Sequence, residues 1–240
     1  RSDNAISNDY LYHNIGDSVI LYTQDGKVLK QEEVSSYPCV GEDRPGLRYF
    51  RSVRTTGLNE NTVVALFSAR PLNTGTSYMK MWMPASSDVS YFTALAPGAK
   101  TASSPYQNKP SLVVTMRKEK TAVKEPFVAV YEPISDKVSA GLIESVDRVK
   151  LDPQGEEGCA IKVNTKEGDT FTLVNILKDG PVILDNQKCC ADFAIFAKQK
   201  GQSIVYVGNG SFVENKEFKV ESENRGGFYM EYDQTSLLVR

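Results

Sequence analysis

The chain contains a single histidine, His13, in the stretch DYLYHNIGD, where Tyr10 and Tyr12 precede it and Gly16 follows. A histidine in such a place could serve as a general base, a metal ligand or a hydrogen-bonded structural residue. Metal sites need three or four ligands. Because there is no second histidine and no suitably spaced cysteine, carboxylates alone would have to complete the set. The residues favour a structural role, with His13 buried and hydrogen-bonded.

Arginines cluster in RPGLRYFRSVRTT, at Arg44, Arg48, Arg51 and Arg54. Strand alternation would place Arg48 and Arg54 on the same face as Phe50, with Arg51 opposite. Guanidinium groups pair bidentately with carboxylate or sulfate, so this is the best local anion site in the sequence. A solvated strand face with ion pairs to nearby acids is the alternative and is slightly favoured.

The stretch SYMKMWMP alternates methionines with polar and aromatic residues. A strand would turn the methionines to the core and would set Tyr78, Lys80 and Trp82 on the opposite face. That mixture of rings and a cation can stack on a sugar and bind its substituents. The favoured alternative is that these rings pack against another layer of the protein.

Composition excludes two classes of partner. The formal charge is -2 and the pI is near 5.6, so no net basic field attracts nucleic acid or an anionic membrane. No apolar run approaches the roughly 20 residues of a membrane span. The first ten residues lack the apolar core of a signal peptide, which leaves a mature secreted chain, a trimmed chain and a cytosolic protein all open.

The cysteines are predicted to be buried free thiols, because their spacing fits neither a metal site nor a small disulfide framework. Cys189 and Cys190 are adjacent, so on a strand their side chains would point to opposite faces.

Apolar residues alternate with period two throughout, and no helical stripe is evident, which predicts an all-β antiparallel β-sandwich. Turns are predicted at four places: Asp25-Gly26, Glu167-Gly168, Gly201 and Asn209-Gly210. Residues 97–110, rich in Pro, Ser, Gly and Asn, read as a surface loop. A boundary near residues 133–140 would divide the chain into a main sandwich, 1–135, and a smaller C-terminal β subdomain, 136–240, with shorter strands.

Five stretches in order, DYLYHNIGD, RYFRSVRTT, VVALFSARPL, MKMWMP and PFVAVYEP, resemble the C-terminal β-sandwich of heparinase II/III-like polysaccharide lyases. The resemblance runs over residues 9–135 and continues more weakly to the end. It implies a periplasmic or secreted enzyme with a helical toroid before its sandwich layers. Such enzymes cleave acidic, uronate-containing glycans, glycosaminoglycans among them, by β-elimination, in which a base removes the proton α to the carboxylate and an acid protonates the leaving oxygen.

Most catalytic residues of that family lie on the toroid, and this chain has no helical segment to supply one. The resemblance therefore implies a non-catalytic C-terminal portion that packs on a missing N-terminal toroid and forms part of the substrate cleft wall. Arg48, Arg54, Tyr78 and Trp82 would face the acidic polysaccharide. His13 could join a structural zinc or calcium ion whose other ligands lie outside the chain. The alternative is a stand-alone β-sandwich module that binds carbohydrate or a partner, and the neighbouring part of the gene would discriminate the two.

Overall fold

A computed structural model describes most of the chain. The described residues are 9–14, 18–34, 50–69, 77–86, 89–95, 111–117, 126–135, 141–152, 158–176, 180–233 and 236–240. Within these ranges every regular element is a β-strand and all pairing between strands is antiparallel, so the all-β prediction is confirmed. No helix among these residues is long and apolar enough to cross a membrane. The predicted loop at 97–110 lies outside the described residues.

Two sheets form the N-terminal part of the chain. The first sheet has five strands in the order β1-β8-β7-β4-β3: β1 (Asp9–Asn14), β3 (Glu32–Glu33), β4 (Arg51–Leu58), β7 (Val89–Leu95) and β8 (Ser111–Arg117). The second sheet has four strands in the order β2-β5-β6-β9: β2 (Ser18–Thr23), β5 (Val63–Ala69), β6 (Ser77–Met83) and β9 (Val130–Ile134).

These two sheets share one apolar core, which makes them a sandwich. Val89 and Tyr91 of the first sheet pack with Val63, Phe67 and Met81 of the second, each at most 2% exposed. Burial of such side chains removes apolar surface from water and is the main stabilising term. The alternation of β6 thus sends its methionine face into the core, as the sequence predicts.

The third sheet has eight strands, and β13 pairs with β14 off the main order β10-β11-β12-β14-β15-β16-β17. Its strands are β10 (Ile143–Val149), β11 (Gly158–Thr165), β12 (Thr170–Ile176), β13 (Val182–Leu184), β14 (Gln187–Gln199), β15 (Gln202–Glu214), β16 (Lys219–Tyr232) and β17 (Leu237–Val239). A second core cluster, which includes Ala194, Phe196, Val205, Val207 and Met230, lines one face of this sheet.

The chain divides into two compact units, one of Arg1–Ala122 with Phe127–Gly141, the other of Val123–Pro126 with Leu142–Arg240. The assignment of 1–135 and 136–240 as domains stays a prediction. The expectation of shorter C-terminal strands was wrong, because β14 and β15 have 13 residues each and β16 has 14. Irregularities inside these strands interrupt the simple alternation and hide their length.

Three of the four predicted turns are present. Gly26 (φ 87), Gly168 (φ 87) and Gly201 (φ 86) all have the left-handed backbone that such turns require. The predicted turn at Asn209-Gly210 was wrong, because both residues lie inside β15. Asn209 has a φ of 51 within a β-bulge, so the positive φ that the dipeptide favours bends a strand instead of reversing it.

The described cysteines, Cys159, Cys189 and Cys190, are free thiols, as predicted, but only Cys189 is buried and the other two are partly exposed. Cys39 lies outside the described residues. Cys189 is fully buried and Cys190 is partly exposed, which fits their opposite faces. Burial raises the pKa of the Cys189 thiol to about 12, so at neutral pH it behaves as a small apolar residue.

Candidate functional site

Arg54 is the one member of the predicted arginine site whose side chain the structure describes, and it is exposed on β4. Its register partners are Glu33 on β3 and Thr93 on β7. Arg44 and Arg48 lie outside the described residues, so the cluster as a whole stays a prediction.

The pleat of β4 is irregular beside Arg54. The register with β7 shifts between Arg51 and Arg54, and Ser52 has a φ of 53. A bulge of this kind breaks strict alternation. The prediction that Arg54 shares a face with Phe50 assumed strict alternation, which β4 does not have at this point.

Tyr78 and Trp82 both lie on β6, but they are not on a strand next to Arg54. β6 pairs with β5 and β9, whereas β4 pairs with β3 and β7. From the sequence, the stretch NTVVALFSARPLNTG predicts a strand and a turn that would bring β6 back beside β4 in one antiparallel sheet. That prediction was wrong, because the chain passes to the other layer of the sandwich between β4 and β5.

Trp82 is buried, with 4% of its surface exposed. Its indole N–H donates to Oε2 of Glu132 on β9 at 3.1 Å, and Glu132 itself is only 6% exposed. A buried carboxylate needs such donors, since an unpaired one is costly to remove from water. The burial of Trp82 agrees with the favoured alternative, in which the ring packs against the protein, and leaves no ring face for a sugar. Tyr78 is partly exposed, so its proposed sugar contact stays a prediction.

The surroundings of Glu132 are closely built. Lys80 lies opposite Glu132 in the register of β6 and β9, so both side chains project from the same face. The backbone of Gly141, with a φ of 71, lies against the carboxylate, and a Cβ at that position would come within 2.4 Å of a carboxylate oxygen. Polar groups of Trp82, Lys80 and Glu132 therefore lie together on this face of the second sheet.

The backbone of His13 lies in β1, opposite Val113 of β8. Its side chain belongs to the part of the chain that the structure does not describe, so its predicted burial and its predicted role as a metal ligand stay predictions. Among the described residues, no group of three or more His, Cys, Asp or Glu could hold a metal ion.

The third sheet carries an exposed surface that the sequence reasoning missed. One row across β12, β14, β15 and β16 consists of Leu173, Ile195, Tyr206 and Tyr229, and Phe193 lies on the same side two residues before Ile195. Leu173, Phe193 and Tyr206 are 36%, 41% and 39% exposed. We call these five residues the aromatic face; the residues that alternate with them line the core.

The ring of Phe193 lies directly over Gly208. A Cβ on Gly208 would come within 2.1 to 2.7 Å of ring atoms Cε1, Cζ and Cδ1, so only glycine allows this close approach. The ring of Tyr206 is next to it, with the centroids 5.5 Å apart and the planes tilted by 39°. The two rings form a shallow, partly exposed platform on the sheet.

A polar cluster borders the platform where β14, β15 and β16 bulge. The Arg225 guanidinium forms an ion pair with Asp192 and donates two hydrogen bonds to the Asn209 carbonyl, at 2.8 and 3.1 Å. The Asn209 amide donates to the other oxygen of Asp192. These contacts hold Asn209 in its positive-φ conformation and fix the bulge.

Beyond the bulge, the ammonium groups of Lys188 and Lys219 lie over the ring of Phe212, at 5.6 and 5.5 Å from its centroid. Lys219 also pairs with Glu221 at 2.9 Å, and this hydrogen bond, with the nearby charges of Glu221 and Glu214, raises the Lys219 pKa. Within the described part of the chain, no carboxylate forms an ion pair with Lys188.

The signal for this surface was present in the sequence. Phe193 and Ile195 alternate with Ala194 and Phe196, and Tyr206 lies between Val205 and Val207. The turn that was predicted at Asn209-Gly210 ended the strand too early and separated these residues from the region of Phe212.

Fold and surfaces together define an all-β protein of two compact units, with charged and ring-bearing sheet faces. The chain is 31% identical over 226 residues to an endo-acting ulvan lyase of Formosa agariphila, which covers 90% of this chain and 27% of that enzyme. It therefore spans about a quarter of the length of this curated relative. No family model matches the chain, and no solved structure matches it significantly. The resemblance to heparinase II/III-like lyases is confirmed only as similarity to a polysaccharide lyase.

Proposed function

We propose that this chain is the non-catalytic β-sandwich portion of a polysaccharide lyase that cleaves an acidic, uronate-containing glycan by β-elimination. The observation that carries the proposal is the similarity to an ulvan lyase along 90% of the chain. Such an enzyme meets its polymer outside the cell, so we place the protein in the periplasm or among secreted proteins.

The base and the acid of the elimination are proposed to lie outside this chain, on an N-terminal helical toroid. β-Elimination needs a base near the proton α to the carboxylate, an acid near the leaving oxygen and a group that neutralises the enolate. The chain has one histidine, and its described tyrosines are spread over several strands, although Tyr206 and Tyr229 are register partners. This scarcity supports a role in binding and support, not in proton transfer.

Within the longer enzyme, Arg48, Arg54 and Tyr78 are proposed to line one wall of the substrate cleft. An exposed guanidinium can pair with a carboxylate or sulfate of the glycan, and a partly exposed tyrosine ring can contact a sugar. Trp82 is proposed to stabilise β6 and not to touch the glycan, because it is buried and hydrogen-bonded to Glu132. His13 is proposed as a ligand of a structural zinc or calcium ion whose other ligands lie outside the chain.

In a longer protein that carries this chain, Arg54→Ala and Tyr78→Ala are expected to lower kcat/KM on ulvan by about threefold to tenfold each. Loss of one exposed ionic or ring contact removes about 1 kcal/mol of binding. The effect of Arg54→Ala should shrink as salt is added, because screening weakens the ionic contact in the wild type. Lys27→Ala, which removes an exposed cation near the Gly26 turn, is the matched control and should leave kcat/KM unchanged.

Unchanged kcat/KM for both Arg54→Ala and Tyr78→Ala would exclude these residues from the cleft wall. If the chain still bound the polymer, that result would favour the alternative of a stand-alone carbohydrate-binding module.

A further inference from the structure

We infer that the aromatic face of the third sheet is a second polysaccharide-binding surface, which holds a strand of anionic polysaccharide through ring stacking at Phe193 and Tyr206 and through the charge of Lys188. The choice of ligand rests on the proposed function. The surface belongs to the C-terminal unit, whereas the residues proposed for the cleft wall belong to the N-terminal unit.

The platform of Phe193 and Tyr206 has the chemistry that sugars require. The C–H faces of a sugar pack on aromatic rings, and its hydroxyl groups need hydrogen-bonding partners at the ring edges. Phe193 and Tyr206 remain about two-fifths exposed although other side chains surround them. The Tyr206 hydroxyl, the Asn175 amide beside Phe193 in the register, and the Tyr229 hydroxyl, which donates to Glu231 at 3.0 Å, provide polar groups at the rim.

Lys188 supplies an exposed cation that an acidic group of the polymer can pair with. Its ammonium lies over the Phe212 ring and, among the described residues, forms no ion pair with its register partner Glu214, whereas Lys219 pairs with Glu221 and Arg225 with Asp192. Lys188 and Phe193 lie five positions apart on β14, or about 16 Å along a strand, and the bulge between Cys190 and Ala191 brings them to the same face. An extended polymer with regularly spaced carboxylates or sulfates could reach both at once.

The Phe193 ring lies close against the sheet. Gly208 has no side chain to hold the ring away, and the neighbouring Tyr206 ring is tilted by 39° to it, so the two rings offer adjacent faces to a ligand. A polysaccharide strand needs only a shallow platform with polar groups along its sides.

The test is binding of the full 240-residue chain to soluble ulvan, measured by affinity electrophoresis, with neutral dextran as the comparison polymer. We expect retardation by ulvan and little by dextran. Phe193→Ala and Tyr206→Ala should each raise the Kd by about twofold to tenfold, the factor expected from loss of one stacked ring. Lys188→Ala should weaken binding at low salt and flatten its dependence on salt.

Tyr131→Ala is the matched control, since Tyr131 is a 45% exposed tyrosine on β9 of the other unit. It should bind ulvan as the wild type does. Circular dichroism of each variant separates lost binding from lost folding, and Tyr206→Phe, which keeps the ring, should retain most of the affinity.

The inference is overturned if the folded wild-type chain does not bind ulvan, or if the two ring variants bind it as tightly as the wild type. It is also overturned if sedimentation shows that the wild type self-associates and that Phe193→Ala abolishes this, because the face would then join two copies. Binding is measured without cleavage, so a longer protein that lacks lyase activity would contradict the proposed function and leave this result standing.

Discussion

Replacement of Trp82 by alanine is expected to lower the free energy of unfolding by about 3 to 5 kcal/mol, the range for loss of a large buried aromatic side chain. Trp82 is 4% exposed on an inner strand of the second sheet, so its removal leaves a cavity that the sheet can only partly close. The change also leaves the buried carboxylate of Glu132 without its indole donor. Urea denaturation followed by circular dichroism measures the loss.

Two further variants separate packing from hydrogen bonding. Trp82→Phe keeps most of the ring but removes the N–H donor, so a loss of about 1 to 3 kcal/mol is expected. In a Glu132→Leu background the same change should cost less, because no carboxylate remains to be left unpaired. If Trp82→Ala lowered stability by less than about 1 kcal/mol, the ring would not be a packing residue and a role in sugar contact would return.

The change of Gly210 to alanine is expected to lower the free energy of unfolding by about 1 to 3 kcal/mol, the usual cost of overpacking. A Cβ at Gly210 would come within 2.4 Å of Val207 Cγ1, 2.7 Å of Ala191 Cβ and 2.8 Å of the Cys190 carbonyl oxygen. The nearest atoms belong to the core side chains and to the backbone of the bulge, so the sheet has to shift to relieve the contact.

Gly226→Ala is the matched control, because Gly226 is the register partner of Gly210 on the neighbouring strand. Nothing lies within 4 Å of a Cβ at Gly226, so its substitution should change stability by no more than about 0.5 kcal/mol. If Gly210→Ala and Gly226→Ala lowered the free energy of unfolding equally, the close packing around Gly210 would be contradicted.

Local patterns predicted the strands and most of the turns because their causes are local. Side chains alternate across a strand, so the Met81 face and the two faces of Cys189 and Cys190 follow from spacing alone. Gly168 and Gly201 mark turns because glycine reaches positive φ at no steric cost. Asn209 gives the same signal inside a strand. Its hydrogen bonds with Asp192 and Arg225, which are distant in sequence, stabilise a bulge there instead of a turn.

The site was harder to predict because its contacts are not local. Packing of the Trp82 ring was the favoured alternative from SYMKMWMP, but its partner Glu132 is 50 residues away and could not be identified from that stretch. The expected neighbourhood of Arg54 and Trp82 failed for a similar reason, since a strand-turn-strand pattern does not reveal when a chain crosses between sheets. The aromatic face depends on a register across several strands, which alternation alone cannot fix.

The most direct test of the proposed function compares two proteins on the same polymer. A longer protein that carries this chain with its N-terminal region should release unsaturated uronate products from ulvan, seen as a rise in ultraviolet absorbance. The 240-residue chain alone should release none, because the base and the acid of the elimination are proposed to lie outside it. Turnover of ulvan by the purified chain alone, or no turnover of any uronate-containing polysaccharide by the longer protein, would contradict the proposal.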